Sequence, residues 1–385
     1  MTNRERLLAA LNYEQYDRLP VLHFGFLLDT LVKWKNEGHL TEEEFNASLC
    51  GDEDIRLEAL TKKLGFDADY HRVFGTNSRL SPGFETKVIE VLPDGSKKIQ
   101  TSLGAVVLQK EGAGSIPMEF DHLLKSRKEW EELFLPRMQF SMDRVTGVMV
   151  NCETEMKRFD EGGLEFLKQP VRQNHYLLYC GSLYGSLRDC MGMENLCYLT
   201  ADDPDLVVEM IEVTGDLCYQ CAKAALESGA KFDIAHFWED ICFKNGPLVN
   251  PSFFKQHVGP QYKKITDLVA SYGIDLVSLD CDGMIDALVP TWLENGVNVM
   301  FPIEVGTWGG NIGDWREKYG KQVLGVGGMR KHILAKDYKA VDEEIERLKK
   351  LVDLGGYVPC PDHRIADDAE WDNVKYYCER MREVF

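Results

Sequence analysis

From about residue 140 to the C-terminus, short apolar runs alternate with helical patterns, and this alternation constrains the fold of the 385-residue chain more than any other feature. Most runs begin soon after a glycine that ends a helical pattern, as loops from helix to strand prefer. Repeated strand–helix units of this length predict a parallel sheet covered by helices. The predicted strands are 145–151, 174–182, 231–237, 274–280, 296–304, 321–328 and 355–360. With an eighth strand predicted near 66–71, the pattern favours an α/β fold of the closed (β/α)8 barrel type (a TIM barrel), with the active site at the carboxyl ends of its strands.

The residues before this region form two further zones. Residues 1–65 carry helical patterns and are predicted to be an N-terminal helical segment. Residues 84–111 alternate with a period of two around an Asp94-Gly95 turn, which is typical of an antiparallel hairpin. Because such a hairpin fits poorly into a parallel barrel, we expect an inserted β-hairpin that caps one face of a single domain spanning 1–385.

The charge of the chain excludes several classes of partner. Asp and Glu number 63 against 44 Lys and Arg, so the formal net charge is −19. A chain this acidic, without a basic block, argues against binding of nucleic acid and against docking on an anionic membrane. No apolar run approaches the roughly 20 residues that span a bilayer. We therefore expect a small-molecule or protein partner.

The 11 cysteines are scattered and odd in number, and the N-terminus reads as an amphipathic helix rather than an export signal. Reduced thiols and a cytoplasmic location are therefore expected. Cys218 and Cys221 form a CxxC inside a helical pattern, without a second CxxC. Two core thiols on one helix face are the favoured interpretation, and a redox or metal pair is the alternative.

Polar side chains gather at the ends of four predicted strands, in a pattern that is stronger than any one of its members. The group comprises His236, Glu239, Asp240, Asp280, Asp282, Glu304, Asp362 and His363. In a barrel the carboxyl ends of the strands converge on one mouth, so we expect these side chains to meet. The residues alone leave other roles open: Asp280 or Asp282 as a helix cap, His236 as a core histidine, and His363 as a surface residue.

Several motifs in the same order resemble the uroporphyrinogen decarboxylase superfamily. They are RERLLAALNYEQYDRLPV at the start, then WEDICFKNGPLVNPSFF, VSLDCDG, VNVMFPIEVGTWGG and GGYVPCPDHRI. The likeness covers nearly the whole chain. It implies a (β/α)8 barrel and one of two chemistries: decarboxylation of porphyrinogen acetates, or zinc-dependent methyl transfer to or from a corrinoid.

The decarboxylase branch fits the sequence poorly. Members of that branch carry an arginine-rich segment directly after the first strand. In this chain the corresponding stretch, 20–34, reads PVLHFGFLLDTLVKW, and no arginine lies between Leu19 and Arg56. A porphyrinogen with many carboxylates needs several guanidinium partners, because bidentate pairs carry most of its recognition. An acidic and aromatic mouth is expected instead.

The methyltransferase branch fits better, with one departure. Its thiol-methylating members carry zinc on His-x-Cys after one strand and on Cys after the last strand, and the resemblance places Asp280, Asp282 and His363 at those positions. Two carboxylates and an imidazole are a legitimate zinc set with an open fourth position, which Glu239 or Glu304 could complete. Oxygen and nitrogen ligands leave zinc a harder Lewis acid than thiolates do.

A hard metal ion would suit cleavage of an aryl methyl ether, because it stabilises the phenolate that leaves. The chain thus resembles the first methyltransferase of anaerobic O-demethylase systems, which passes the methyl group of a methoxylated aromatic to the Co(I) corrinoid (cobalamin) of a partner protein. Glu239 and His236 are the predicted catalytic residues. The predicted substrate-binding residues are Glu304 and an aromatic slot of Tyr184, Trp238 and Trp308. The alternatives are a methylcobalamin:thiol or other corrinoid methyltransferase, a decarboxylase-like lyase, and a non-catalytic barrel.

Overall fold

The computed structural model of the protein describes residues 1–47, 57–110, 118–153 and 155–385. Its strands are β1 (Leu22–His23), β2 (Ala68–Asp69), β3 (Val73–Phe74), β4 (Lys87–Val91), β5 (Lys97–Gln100), β6 (Ala105–Gln109), β7 (Met118–His122), β8 (Met149–Asn151), β9 (Met156–Arg158), β10 (Leu177–Tyr179), β11 (Ile234–Trp238), β12 (Cys242–Phe243), β13 (Gly246–Pro247), β14 (Val277–Asp280), β15 (Val299–Phe301), β16 (Leu324–Met329) and β17 (Tyr357–Pro361).

Seven strands form one parallel sheet, in the order β17-β16-β15-β14-β11-β10-β3. Its edge strand β3 follows β2 after a short break, and β2 pairs in parallel with β1. Beyond β1, Phe26 forms a parallel bridge with Ile365, which follows β17. These contacts bring the two edges of the sheet towards each other, although the ladder is not continuous in the described residues. The predicted α/β fold with a barrel-like parallel sheet is confirmed.

Helices follow most of the parallel strands. In the described residues they are α1 (Asn3–Leu11), α2 (Leu28–Asn36), α3 (Glu42–Ala47), α4 (Leu57–Leu64), α5 (Arg127–Glu129), α6 (Asp143–Thr146), α7 (Gly163–Leu167), α8 (Gly185–Met191), α9 (Met193–Asp202), α10 (Pro204–Glu227), α11 (Pro251–Phe253), α12 (Gly259–Ser271), α13 (Val289–Glu294), α14 (Val305–Trp308), α15 (Ile312–Tyr319), α16 (Tyr338–Val352) and α17 (Trp371–Val384). Helix α16 buries Val341, Ile345 and Leu348, a stripe at the spacing that packs one helix face onto a sheet. Among the described helices, none combines the length and apolar character that crossing a bilayer requires.

Helix α1 covers the amino ends of the parallel strands. Leu7 and Leu11 of this helix belong to one apolar cluster with Leu177, Ile234 and Val358 of the strands. Burial of these side chains closes that end of the barrel-like sheet by the hydrophobic effect. The opposite end, where the strands terminate at their carboxyl ends, is therefore the end that can hold a site.

The region 84–111 contains three strands rather than two. Strands β4, β5 and β6 join β7 in a four-stranded antiparallel sheet, and β6 and β7 contact α8. Residue 111 lies outside the described residues, as do 48–56 of the predicted N-terminal helical segment and with them Arg56 and Cys50. The remainder of that segment contains α1 to α4 and also the parallel strand β1.

The predicted barrel strand at 145–151 is wrong. Helix α6 covers the start of this range, and β8 pairs antiparallel with β9 instead of joining the parallel sheet. A short apolar run suits a hairpin strand as well as a barrel strand, so its pattern could not distinguish them. The two-residue strand β1, which lies within an otherwise helical zone, pairs in parallel with β2 and takes the position that the 145–151 run was predicted to fill.

The cysteines of the described residues are free thiols. Cys218 and Cys221 are both buried on α10, as two core thiols on one helix would be. Burial raises the pKa of the Cys221 thiol to about 11, which keeps it protonated near neutral pH. The favoured interpretation of this CxxC as packing is therefore consistent with its surroundings.

Candidate metal centre and cavity

Three side chains of types that can bind a metal ion meet near the carboxyl ends of the parallel strands. His236 lies in β11, Asp280 is the last residue of β14, and His71 lies between β2 and β3. One ligand atom of each lies within 4.8 Å of the other two. The parallel register pairs Trp238 with Asp280 and so brings the ends of β11 and β14 to the same level. Two imidazole nitrogens and a carboxylate oxygen are a donor set that Zn²⁺ accepts, with a fourth position open.

His236 is the most informative member of this cluster. It is fully buried, and neither of its ring nitrogens has a hydrogen-bond partner. Buried polar atoms without partners cost free energy and are rare in folded proteins. Burial, with His71 nearby, lowers the pKa of His236 well below its usual value. The imidazole is therefore neutral, which is the form that binds a metal ion.

Carboxylates crowd the same mouth. Burial raises the pKa of Asp280 well above its usual value, and the charges of Asp282 and Asp240 add to the rise while Arg364 opposes it. Burial and the charge of Asp282 likewise raise the pKa of Glu304. Like charges at close range disfavour ionisation of one another, and a divalent cation reverses that balance. The electrostatics of the mouth therefore fit a bound cation.

Asp282 and His363, which the resemblance assigned to the metal, form a separate pair. Oδ2 of Asp282 lies 3.4 Å from Nε2 of His363. The other ring nitrogen, Nδ1, lies 3.1 Å from Nζ of Lys331. An ammonium group only donates, so Nδ1 of His363 accepts and Nε2 carries the hydrogen that faces Asp282. Both ring nitrogens of His363 thus have a protein neighbour, unlike those of His236. The structure thus brings Asp280 together with His71 and His236 rather than with this pair.

Glu239, predicted for acid–base chemistry, is a buried anchor of the loop before α8. Its carboxylate accepts hydrogen bonds from the backbone N–H groups of Leu183 at 2.8 Å, Tyr184 at 3.0 Å and Gly185 at 2.7 Å, and from the hydroxyl of Tyr262. Burial raises the pKa of Glu239, and these hydrogen bonds oppose the rise. Because the donors around it belong to the protein, we infer that it positions this loop.

Glu304 also holds two loops together. Its Oε2 accepts a hydrogen bond from the backbone N–H of Gly283 at 2.6 Å, and its Oε1 accepts one from the hydroxyl of Thr307 at 2.8 Å. The first contact reaches the loop after β14, and the second reaches Thr307 in α14, the short helix that follows β15. Both oxygens therefore have protein donors.

The three aromatic residues predicted to form one slot lie in different places. Tyr184 is buried, and its ring packs edge-on against Phe254 with centroids 6.5 Å apart. Trp308 lines a cavity of about 240 Å³ and packs against Trp315 with centroids 6.2 Å apart. Trp238 lines a larger cavity next to the three-donor cluster. A single slot built from all three is therefore not present in the described residues.

The larger cavity has a volume of about 510 Å³ and includes part of the three-donor cluster in its wall. Its most polar and aromatic lining residues are His71, Asp280, Tyr179, Trp238, Arg79 and Arg364. The wall has the expected aromatic side chains and an acidic one, Asp280, but it also contains two arginines that were not expected. Its guanidinium groups come from the loop after β3 and the loop after β17, far in sequence from the segment after the first strand.

Sequence reasoning missed His71, Arg79 and Arg364 as site residues. His71 is the last residue of the predicted strand 66–71, and this position at a strand end is the sequence feature that could have marked it as a site residue. The two arginines lie in loops, where no period or spacing distinguishes a cavity residue from a surface residue.

Comparisons with known proteins agree with this architecture. The family model for uroporphyrinogen decarboxylase (URO-D) matches residues 183–384, more than half of the chain. The fold is similar to that of a methyltransferase from Methanosarcina mazei, with a TM-score of 0.62, 16% sequence identity, and coverage of 100% of this chain and 99% of that one. A structure from Listeria monocytogenes, described as a vitamin-B12-independent methionine synthase, aligns with a TM-score of 0.42 and 11% identity over 97% of this chain and 99% of that one. No curated protein matches the chain by sequence. From the family match and the barrel-like sheet, the chain belongs to the uroporphyrinogen decarboxylase family.

Proposed function

We propose that the protein is a zinc-dependent methyltransferase that takes the methyl group of an aryl methyl ether and transfers it to the Co(I) corrinoid of a partner protein. The observation that carries this proposal is the cluster of His71, His236 and Asp280 at the mouth of the barrel-like sheet. These residues would hold the zinc ion. Bound there, zinc would supply a hard Lewis acid for an ether oxygen, because its protein donors are nitrogen and oxygen.

The cavity supports an aromatic substrate. Its volume of about 510 Å³ lies within the range of small-molecule sites, roughly 300–1,000 Å³. Trp238 and Tyr179 supply aromatic side chains to its wall, and flat rings pack well against such side chains. His71 and Asp280 border the same cavity, so a ring bound there would lie next to the metal ligands. The cavity opens at the barrel mouth, where a carrier protein could present its corrinoid.

Two alternatives are less well supported. A thiol-methylating enzyme of the resembling branch uses thiolate ligands, whereas the three-donor cluster contains none. A porphyrinogen decarboxylase needs several guanidinium partners for its many carboxylates, and two arginines line this cavity. The methyltransferase of Methanosarcina mazei, which shares the fold, is consistent with methyl transfer as the chemistry of this chain.

An anaerobic assay tests the proposal directly. Zinc-loaded protein is mixed with Co(I) cobalamin and a panel of methoxybenzenes, and methylcobalamin formation is followed by absorbance. We expect activity in the wild type, a loss of at least about 100-fold in His236→Ala, and a much smaller loss in His363→Ala.

Two further arms separate the alternatives. Transfer from methylcobalamin to a thiol, without any use of methoxybenzenes, would favour the thiol methyltransferase. Carbon dioxide release from a porphyrinogen would favour the decarboxylase. A wild-type protein that retains less than about 0.2 zinc per chain after incubation with zinc would contradict the metal-dependent mechanism.

A further inference from the structure

We propose that Asp69 is a positioning residue of the metal centre, whose buried carboxylate fixes the backbone of His71 and so holds the His71 imidazole at the zinc site. The inference rests on the proposed function, because it names the residue that keeps one of the three proposed ligands in place. Asp69 itself is not one of the three donors.

His71 differs from the other two proposed ligands in its place in the fold. His236 lies in β11 and Asp280 ends β14, two central strands that pair with each other and with a further strand on their other sides. The hydrogen bonds of the sheet therefore fix the backbone next to both ligands. His71 lies between β2 and β3, outside both strands. Another contact has to fix it, because the members of a site must be held to within about 0.5 Å.

Asp69, the last residue of β2, provides this contact. Its Oδ1 accepts a hydrogen bond from the backbone N–H of His71 at 2.8 Å. A turn that is closed by an aspartate side chain and an N–H two residues later constrains the backbone between them. Asp69 is only 9% exposed, so water competes little for this hydrogen bond. The contact therefore sets the direction in which the chain leaves β2 at His71.

Tyr70, the residue between Asp69 and His71, anchors the same turn to the sheet. Its N–H donates to the carbonyl oxygen of His23 at 2.7 Å, and its buried hydroxyl donates to Oγ of Ser278 at 2.8 Å. Ser278 pairs with His236 in the register of β14 and β11. The turn is thus tied to the sheet at the level of His236, and the bond from Asp69 extends this order to the next residue.

Asp67 is a matched control at the other end of β2. Its side chain is also 9% exposed, but it forms ion pairs with Arg18 and Arg382 and accepts a hydrogen bond from the N–H of Val21 at 2.9 Å. None of these partners belongs to the three-donor cluster. A substitution of Asp67 therefore disturbs a buried carboxylate of the same strand without touching the turn at His71.

Binding of Co(II) to the full chain, freed of metal by a chelator, tests the inference without any methyl transfer. Co(II) occupies sites that bind zinc, and its visible absorption reports the geometry of its ligands. Asp69→Ala removes the acceptor, so we expect the affinity for Co(II) to fall at least about tenfold and the visible spectrum to change. Asp69→Asn keeps an acceptor oxygen for the N–H of His71. It should therefore bind Co(II) within about threefold of the wild type, with the wild-type spectrum.

Two further variants separate positioning from stability and from charge. Asp67→Asn should lower the free energy of unfolding, because it weakens two ion pairs, but should leave the affinity and the spectrum of Co(II) unchanged. Asp69→Glu keeps the charge but displaces the carboxylate by one methylene group, so its affinity should fall at least about tenfold as well. This variant decides the question if Asp69→Ala does not fold, and thermal unfolding of each metal-free variant checks the fold.

Wild-type affinity and spectrum in a folded Asp69→Ala or Asp69→Glu variant would overturn the inference. An equal loss in Asp69→Asn would do the same, because the charge rather than the hydrogen bond would then be responsible, and so would an equal loss in Asp67→Asn. A wild type that binds no Co(II) would contradict both this inference and the metal-dependent function. Co(II) binding in the expected order, without methyl transfer from any methoxybenzene, would contradict the proposed function alone.

Discussion

The possible metal ligands around the barrel mouth differ in whether they already have hydrogen-bond partners within the protein. His236 has no hydrogen-bond partner for either ring nitrogen. The carboxylates of Glu239, Glu304 and Asp362, in contrast, accept hydrogen bonds from backbone N–H groups. A carboxylate held in this way has its charge stabilised by the protein and gains less from a metal ion. The contacts of each residue, more than its type, therefore separate metal ligands from structural anchors.

Zinc content should follow this division. We expect His71→Ala, His236→Ala and Asp280→Asn each to lower bound zinc from about one ion per chain to below about 0.2, because three donors are the minimum for a catalytic site. His363→Ala, which removes an equally polar side chain from the same mouth, should keep bound zinc near the wild-type content. Elemental analysis of protein purified with zinc gives the measurement. Loss of zinc in His363→Ala, with retention in His236→Ala, would restore the ligand set that the resemblance implied.

At the scale of elements, one carboxylate connects β11 to α8. The Glu239 side chain binds the N–H groups at the start of α8, and the close approach leaves no room beside Gly185, where an added Cβ would lie 2.0 Å from the carbonyl oxygen of Glu239. The loop after β10 is thus tied to the loop after β11. The strands that precede these two loops end in Tyr179 and Trp238, which line the cavity.

Replacement of Glu239 should affect stability more than metal binding. Glu239→Ala leaves three buried N–H groups without acceptors, so we expect the free energy of unfolding at pH 7 to fall by about 3 kcal/mol. Glu239→Gln keeps one acceptor oxygen and should lose less. Denaturant titration measures both, and zinc content should stay at the wild-type level. A Glu239→Gln variant with full stability and full zinc, but without methyl transfer, would show a direct catalytic role instead.

A second element-level test uses the contact between β15 and β16. Gly327 has φ +125°, and a Cβ added there would lie 1.5 Å from the carbonyl oxygen of Pro302. Gly327→Ala must therefore move backbone, and we expect a loss of about 3 kcal/mol or more in the free energy of unfolding. Gly95→Ala, in the exposed hairpin turn, meets no atom within 4 Å and should cost only its backbone strain, about 1 kcal/mol. Equal losses in the two variants would contradict the close packing at Gly327.

At the scale of the whole molecule, buried neutral histidines make stability depend on pH. Burial lowers the pKa of His23 to about 3 and the pKa of His175 to about 4. Their unfolded value is 6.5, so below that pH the unfolded chain binds more protons than the folded one. Each histidine contributes stability that is fully present above pH 6.5 and is lost as the pH falls towards its folded pKa.

We expect the free energy of unfolding to fall steeply between pH 6.5 and pH 4. The ring of His175 makes a hydrogen bond through Nε2 to the carbonyl oxygen of Tyr70, which the amide of His175→Gln can retain. This variant should reduce the slope by up to about 1.4 kcal/mol per pH unit. His332→Gln, at an exposed position, should leave the slope unchanged. Identical slopes in His175→Gln and the wild type would contradict the neutral buried state.

The predictions made from the sequence succeeded where local pattern and tertiary contact agree. The runs at 231–237, 274–280 and 321–328 contain parallel strands. These runs are mainly apolar because central strands of such a sheet are buried on both faces. Each run also begins soon after a glycine that ends a helical pattern. The run at 145–151 has the same local character but pairs in a hairpin. His236 and Asp280 could be selected as candidates from the sequence because a strand end is a local feature.

By itself, the sequence determined the order of strands and helices, the family likeness and the edge of the sheet at which polar residues collect, because these depend on short-range periodicity and turn chemistry. Only the tertiary structure decided which polar residues meet. His71 reaches His236 across more than 160 positions of the chain, and Arg79 and Arg364 share one cavity wall. Such distant pairings are set by strand register and loop packing, and no local pattern of residues records them.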